Sequence, residues 1–264
     1  MSTNVDFIAA IERESHRFGA CLESADPNAS VPTCPEWTAA DLLWHLGEVQ
    51  LFWANIVRGR LTAPDTAKVD ASIRPTAFAG LLEFYARASV ELIDSLAACD
   101  PSTPMWTWCD NDQTAGFVAR RQAHEALIHR LDAELVIGQP TPIDPLLATD
   151  GVDEALTIMF GEAPLWAAIT PSGATGLVTA TDVGRTWGIE IVQLVGTSPH
   201  TGTSFDEGAL GLIDPPISPS FTLTADSSTL DAWLWSRPTA TELFLDGSAD
   251  SIEQFMTIIG GGLQ

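Results

Sequence analysis

Glu125 and His129 are the first pair of residues in the sequence whose types and spacing could do chemistry. They lie in the stretch 116–138, which contains no proline and carries glycine only at its two ends, so a long helix is predicted there. Thr114 is expected to cap its start and Gly138 to end it. In a helix, a spacing of four places both side chains on one face, close enough to hold one metal ion. Spacing alone leaves a surface ion pair as the alternative.

His45 could supply a third ligand from a second helix. This helix is predicted from a capping box formed by Thr38 and Asp41 to about Arg58. His45 shares its azimuth with apolar residues, so it is expected to point into the protein interior. These residues are Leu42, Val49, Phe52 and Ile56. A lone interior histidine is more often a packed core residue, but two histidines and one carboxylate match open zinc sites, and iron and nickel also accept such ligands.

Three further residues near these candidates are given other roles. His124 lies about 100° round the helix from Glu125, so it is assigned to packing or to support of a ligand. Asp132 follows His129 by three residues and could orient its imidazole, with a surface arginine as the alternative partner. Cys34 has no base near it in sequence that would activate a nucleophile, which favours a structural role.

The first 138 residues predict four long helices that would pack as a four-helix bundle. A first helix is expected over residues 4–24, and a third over 76–98 with Pro75 at its first position. The segment 26–35 contains three prolines and is expected to be an irregular loop without a strand ladder.

The remainder predicts a small α+β domain, which gives domains at residues 1–142 and 143–264. Alternation on both sides of Asp182–Gly184 indicates a hairpin over 176–192. The other expected elements are a helix over 152–161 after an Asp150 cap, strands at 220–225 and 243–247, and helices at 227–235 and 248–259.

The composition excludes several classes of partner. The chain has 264 residues, with 35 acidic against 12 basic side chains and a net charge of −23, which argues against binding to nucleic acid or an anionic membrane. The N-terminus lacks a basic region followed by an apolar run, and no apolar stretch is long enough to span a bilayer, so a cytoplasmic protein is expected. The four cysteines show no Cys-x-x-Cys spacing and are expected to be reduced thiols.

Three segments carry a resemblance to a known family. Residues 31–47, which begin Val-Pro-Thr-Cys-Pro-Glu-Trp and include His45, resemble the opening motif of the mycothiol-dependent maleylpyruvate isomerase family, the actinobacterial branch of the DinB-like metal-binding bundles. Residues 121–134 resemble its second motif and residues 231–237, more loosely, its third. The likeness spans nearly the whole chain in the same order.

The resemblance implies a DinB-like bundle with a zinc ion, or another divalent metal, at His45, Glu125 and His129. It also implies mycothiol as cosubstrate and an active-site arginine best matched by Arg237. The chain departs from the family pattern at position 36, where the family usually has glycine and this chain has Glu36. A second departure is Gln50, where the family often has a basic residue or a histidine.

The resemblance implies a metal-dependent enzyme that uses a small thiol as nucleophile on an electrophilic substrate. The reaction would be either S-transfer or maleylpyruvate-type cis–trans isomerisation, by a monomer or homodimer. Arg237 could bind a substrate carboxylate, or it could be a surface residue that caps the helix before it. A second hypothesis is a non-catalytic binding protein for a hydrophobic metabolite, because the C-terminal domain resembles sterol-carrier-like folds. A regulator that binds a protein partner through its acidic face is a third hypothesis, without a motif to support it.

Overall fold

The computed structural model describes residues 5–161, 163–164, 166–199, 201–239 and 241–260. The chain divides into two compact units, Ser2–Pro142 and Ile143–Gln264. Within the described residues, none of the helices is both long enough and apolar enough to cross a bilayer. The cysteines form no disulfide in the described part of the chain.

The N-terminal unit is a four-helix bundle. Its helices are α1 (Phe7–Glu23), α2 (Ala39–Gly59), α3 (Phe78–Ala97) and α4 (Ala115–Val136). Helix α1 packs on α4 and α2 packs on α3, while looser α1–α3 and α2–α4 seams complete the ring. The bundle is filled by large apolar side chains from these helices, among them Phe18, Leu42, Leu46, Phe84 and Tyr85.

The predicted starts of the two helices that carry the candidate ligands are confirmed. Thr38 and Asp41 form the capping box of α2, and each side chain bonds the other residue's backbone N–H. The side chain of Thr114 accepts a hydrogen bond from the backbone of Phe117 at the start of α4. Gly138 adopts a φ of 66° just past the end of α4, a conformation that glycine tolerates without strain.

Two local predictions in this unit are wrong. Helix α3 begins at Phe78 rather than at Pro75, and its N-cap, Ala77, offers no side-chain hydrogen bond. The expected loop 26–35 contributes to a two-stranded antiparallel hairpin of β1 (Ser30–Val31) and β2 (Cys34–Thr38). The ladder forms because the paired residues, Ser30 with Thr38 and Val31 with Cys34, are not the prolines.

The C-terminal unit is an α+β domain. Its elements are α5 (Pro145–Glu154), β3 (Ala168–Ala180), β4 (Arg185–Thr197), β5 (Ser204–Ile213), β6 (Phe221–Ala225), α6 (Ser227–Leu234), β7 (Phe244–Gly247) and α7 (Ala249–Ile259). Among the described residues the sheet has the order β5-β4-β3-β6-β7, and only the β3–β6 pairing is parallel. One face of the sheet shares its core with apolar side chains of α5, α6 and α7.

The hairpin predicted at 176–192 is confirmed as β3–β4 and is longer than expected. The helix expected after Asp150 begins earlier, because Asp144 accepts hydrogen bonds from the first turn and Pro145 fits the first position. Asp150 therefore lies within α5, and a π-helical turn, Ala155–Met159, follows it. Strand β5 was not predicted.

Candidate metal centre

Three side chains from two helices of the bundle converge on one point. His45 Nε2 lies 3.5 Å from Glu125 Oε1, and His129 Nε2 lies 3.2 Å from the same oxygen. Helix α2 supplies His45, and α4 supplies the other two at the predicted spacing of one turn. Among the residues that the structure describes, no other group of at least three His, Cys, Asp or Glu side chains converges in this way.

The spacing of the three donor atoms suits a divalent metal. A tetrahedral zinc with bonds of 2.0–2.2 Å holds its ligand atoms about 3.4 Å apart. The distances of 3.2 and 3.5 Å fall on either side of that value, and all three donors lie within 4.8 Å of one another. Three protein ligands leave a fourth position for water or a substrate, which is the pattern of catalytic rather than structural zinc. The donor set also suits iron and nickel.

Access to the centre is uneven. The side chain of His45 is 28% exposed and that of Glu125 is 20% exposed, whereas His129 is only 5% exposed. The apolar stripe had predicted that His45 points fully into the interior, but it stands at the edge of the bundle. His45 and Glu125 therefore carry most of the exposed area of the three side chains.

Two side chains of the centre, Glu125 and His129, have shifted pKa values. Burial alone would raise the pKa of Glu125, but hydrogen bonds from His129 and His45 outweigh it and hold that pKa well below its usual range. Burial also lowers the pKa of His129, but its hydrogen bonds with Asp132 and Glu125 raise it to about 9. Without a metal, the pair on α4 is therefore a partly buried ion pair that keeps the donors together.

The outward atoms of the two α4 residues are held by neighbours. Asp132 Oδ2 lies 2.9 Å from His129 Nδ1, so the other ring nitrogen faces the centre. Asp132 is fully buried, and this contact agrees with the first of the two sequence alternatives, in which it orients the imidazole. Arg121 Nη2 donates to Glu125 Oε2 at 3.1 Å, which leaves Oε1 to face the two histidines. Arg121 was not singled out from sequence, although it precedes Glu125 by one helical turn.

Trp37 forms a wall beside the centre. Its ring centroid lies 4.7 Å from that of His45 and 6.4 Å from that of His129. It stands on β2 directly before Thr38, so the residue that caps α2 also fixes where this ring enters. The tryptophan ring therefore packs beside both imidazoles.

The other residues singled out from the sequence of the bundle lie outside the converging group. His124 is fully buried and meets the ring of Phe7 edge-on at 6.2 Å, outside the cluster. Gln50 is buried against α1, where its Nε2 donates to Ser15 Oγ at 2.8 Å. The residue that departs from the family pattern therefore lies at the contact between α1 and α2. Glu36 is exposed on β2.

Arg237 lies in the C-terminal unit, just after α6. It is 6% exposed, so the surface position of the alternative hypothesis is wrong, whereas the capping contact that this alternative expected is present. Its Nη1 donates to the carbonyl oxygen of Trp235 at 2.6 Å, which satisfies a carbonyl at the end of that helix. The chain reaches this position through Ser236, which adopts a φ of 59°.

Comparison with known proteins gives matches of two kinds. Residues 8–134 match a family model described as the mycothiol maleylpyruvate isomerase N-terminal domain. Two crystal structures of mycothiol-dependent maleylpyruvate isomerase also match, one of them a histidine-to-alanine mutant. The TM-scores are 0.63 for the mutant and 0.60 for the other, each with 10% identity over 91% of this chain and 92% of theirs. None of the curated proteins matches.

At this identity the structural likeness concerns the fold, and it confirms the predicted order of a DinB-like bundle followed by an α+β domain. The family match covers most of the bundle and includes all three converging side chains. The N-terminal bundle therefore belongs to the family described as the mycothiol maleylpyruvate isomerase N-terminal domain.

Proposed function

We propose that the protein is a thiol-dependent isomerase of the maleylpyruvate type, with mycothiol as its cosubstrate. In this proposal His45, Glu125 and His129 hold a divalent metal, for which zinc is the first choice. The observation that carries the proposal is the convergence of these three donors on two helices of a bundle that matches the family.

The need for a metal follows from the chemistry of thiols. A free thiol has a pKa near 8.5, so only a few per cent of it is the nucleophilic thiolate at pH 7. A zinc ion with an open position would hold a bound thiol in its deprotonated form at neutral pH. Asp132 and Arg121 support this by holding the outward atoms of His129 and Glu125, which keeps the inward atoms in place without further ordering.

The proposed reaction interconverts the two isomers of a carbon–carbon double bond conjugated to a carbonyl. The thiolate adds to one alkene carbon, and the electron pair of the double bond moves onto the carbonyl oxygen. The former double bond is now single and rotates. The pair returns, the C–S bond breaks, and the trans alkene and the thiolate are released with no net consumption of thiol.

The same attack on an electrophile with a leaving group would end in S-transfer. In that case the C–S bond stays and the leaving group departs with the electron pair. Isomerase activity is favoured because the matched family and both matched structures carry that name.

We assign Arg237 to the recognition of a substrate carboxylate. A guanidinium offers two parallel N–H donors that match the two oxygens of a carboxylate. The assignment is supported by the resemblance of residues 231–237, which end at Arg237, to the third motif of the family. An Arg237→Lys variant keeps the charge and loses the planar fork, so KM for a carboxylate substrate is expected to rise more than kcat falls.

A direct assay tests the function. Purified protein is stripped of metal, reloaded with zinc, and mixed with maleylpyruvate in the presence of mycothiol, another small thiol, or no thiol. We expect conversion to the trans isomer only with zinc and mycothiol together, with mycothiol recovered in full. No conversion by the zinc-loaded protein would overturn the isomerase assignment. A lasting thioether on an electrophile that carries a leaving group would instead favour the transferase.

A further inference from the structure

The β1–β2 hairpin lies between α1 and α2 in the chain and packs against both helices that carry the candidate ligands. Val31 pairs with Cys34, so Pro32 and Thr33 form the two-residue turn between the strands. Proline fixes the backbone at the first of these turn positions, which leaves little freedom in where the second side chain points. The strands of the hairpin contact both α2 and α4.

The side chain at the tip of this turn reaches α4. Thr33 Oγ1 donates a hydrogen bond of 2.6 Å to Asp132 Oδ1, and the other carboxylate oxygen lies 2.9 Å from His129 Nδ1. Asp132 is fully buried, so its orientation is set by hydrogen bonds rather than by solvent. A short relay therefore runs from a hairpin turn, through one carboxylate, to a ligand imidazole.

The relay determines which face of the imidazole is presented to the centre. In the neutral imidazole that a metal requires, a carboxylate beside Nδ1 keeps the proton on that nitrogen, which leaves Nε2 with its lone pair directed inward. Outer hydrogen bonds of this kind fix ring orientation, and their loss typically costs 10–100-fold in metal affinity. If the Asp132 carboxylate rotated, both the ring angle and the preferred tautomer of His129 would change.

We propose that Thr33 is a positioning residue for the metal centre, acting through Asp132 on His129. The proposal rests on the proposed function only in that a metal occupies the centre. Thr33 has no contact with the reacting atoms in this scheme. Its role is to hold one rotamer of a carboxylate that lies 99 residues further along the chain.

A purely structural role for the same hydrogen bond has different consequences. If the bond only attached the hairpin to α4, its loss would lower the stability of the metal-free protein without a specific effect on metal binding. Thr33→Val removes the hydroxyl and keeps the shape, and Thr33→Ser restores the hydroxyl. Ser30→Ala is the matched control, because Ser30 Oγ donates to the Pro35 carbonyl within the same hairpin, at 3.4 Å.

The test measures zinc affinity by competition with a chelator, beside the melting temperature of each metal-free protein. We expect Thr33→Val to weaken zinc binding about three- to tenfold, less than direct removal of the Asp132 carboxylate. Thr33→Ser and Ser30→Ala should stay within about twofold of wild type. Wild-type affinity in Thr33→Val would overturn the proposal. So would a loss in Thr33→Val that Thr33→Ser fails to restore.

A second measurement does not require the metal, so failure of the metal centre and failure of the relay can be told apart. In metal-free protein the Nδ1–H proton of His129 should give a sharp, slowly exchanging NMR signal in wild type and Thr33→Ser. In Thr33→Val this signal should broaden through faster exchange. An unchanged signal in Thr33→Val overturns the relay, whereas wild-type protein that binds no zinc overturns the metal centre itself.

Discussion

Zinc binding should depend steeply on pH, because the metal must displace a proton from His129. Burial lowers the pKa of this imidazole, but its hydrogen bonds with Asp132 and Glu125 raise it to about 9. The metal-free centre therefore carries a proton on His129 at neutral pH, while zinc requires the neutral imidazole. Each ion that binds below pH 9 must release about one proton from this residue.

The magnitude follows from competition between one proton and one metal ion. Below the pKa, the apparent dissociation constant should fall about tenfold for each unit of rising pH, and it should level off near pH 9. Asp132→Asn removes a negative charge that raises the pKa of His129, so the levelling should move to lower pH. The same variant should bind zinc about 10–100-fold more weakly at high pH, because the ring loses its carboxylate partner.

Calorimetric titration in buffers of different ionisation enthalpy measures both the affinity and the number of protons released. Wild-type protein and Asp132→Asn are compared with His16→Ala, which changes an exposed histidine outside the cluster. His16→Ala should match wild type at every pH. An affinity that is equal at about pH 7 and about pH 8.5, with no proton released, would refute the assignment of His129 as a ligand that is protonated in the metal-free state.

Three further outcomes are expected. In metal-free protein, the raised pKa of His129 should stabilise the folded state. This contribution should be complete below about pH 6.5, the ordinary pKa of histidine, and urea unfolding should show it lost as pH rises through about 9. Glu134→Ala should cost about 1.5–3 kcal/mol in the same assay, because Arg130, buried beside it at 2.9 Å, keeps Glu14 but loses its second carboxylate partner; a cost below about 1 kcal/mol would contradict this. Gly176→Ala should lower the melting temperature, because its Cβ would lie 2.4 Å from the buried ring of Phe221 and overpacking costs about 1–3 kcal/mol; unchanged melting would contradict the packing.

Local signals in the sequence were sufficient wherever a feature depends on neighbours along the chain. The capping box of Thr38 with Asp41 marked the start of α2, and the spacing of Glu125 and His129 placed both on one face of α4. These features span one turn of helix, so residue type and spacing determine them. His45 was expected to point into the interior; it lies 3.5 Å from Glu125 on α4, but its partial exposure exceeds what an apolar stripe predicts.

Features that depend on distant partners could not be predicted in this way. Strand β5 contains Gly208 and Gly211 and lacks regular alternation, and it is a strand because it pairs with β4 along its whole length. The hydrogen bond from Thr33 to Asp132 joins residues 99 apart and leaves no periodic signal. Pro75 fits a helix start, yet α3 begins three residues later, because proline at this position permits a helix without requiring one.

The metal content of purified protein tests the central proposal most directly. Wild type, His45→Ala and the control His16→Ala are purified identically, dialysed against trace zinc, and analysed for bound metal, with melting curves to verify folding. We expect about one divalent ion per chain in wild type and in His16→Ala, and a clear loss in His45→Ala, because two protein ligands no longer hold the ion. Equal metal in all three folded proteins, or none in wild type, would contradict the assignment of His45, Glu125 and His129 as a metal centre.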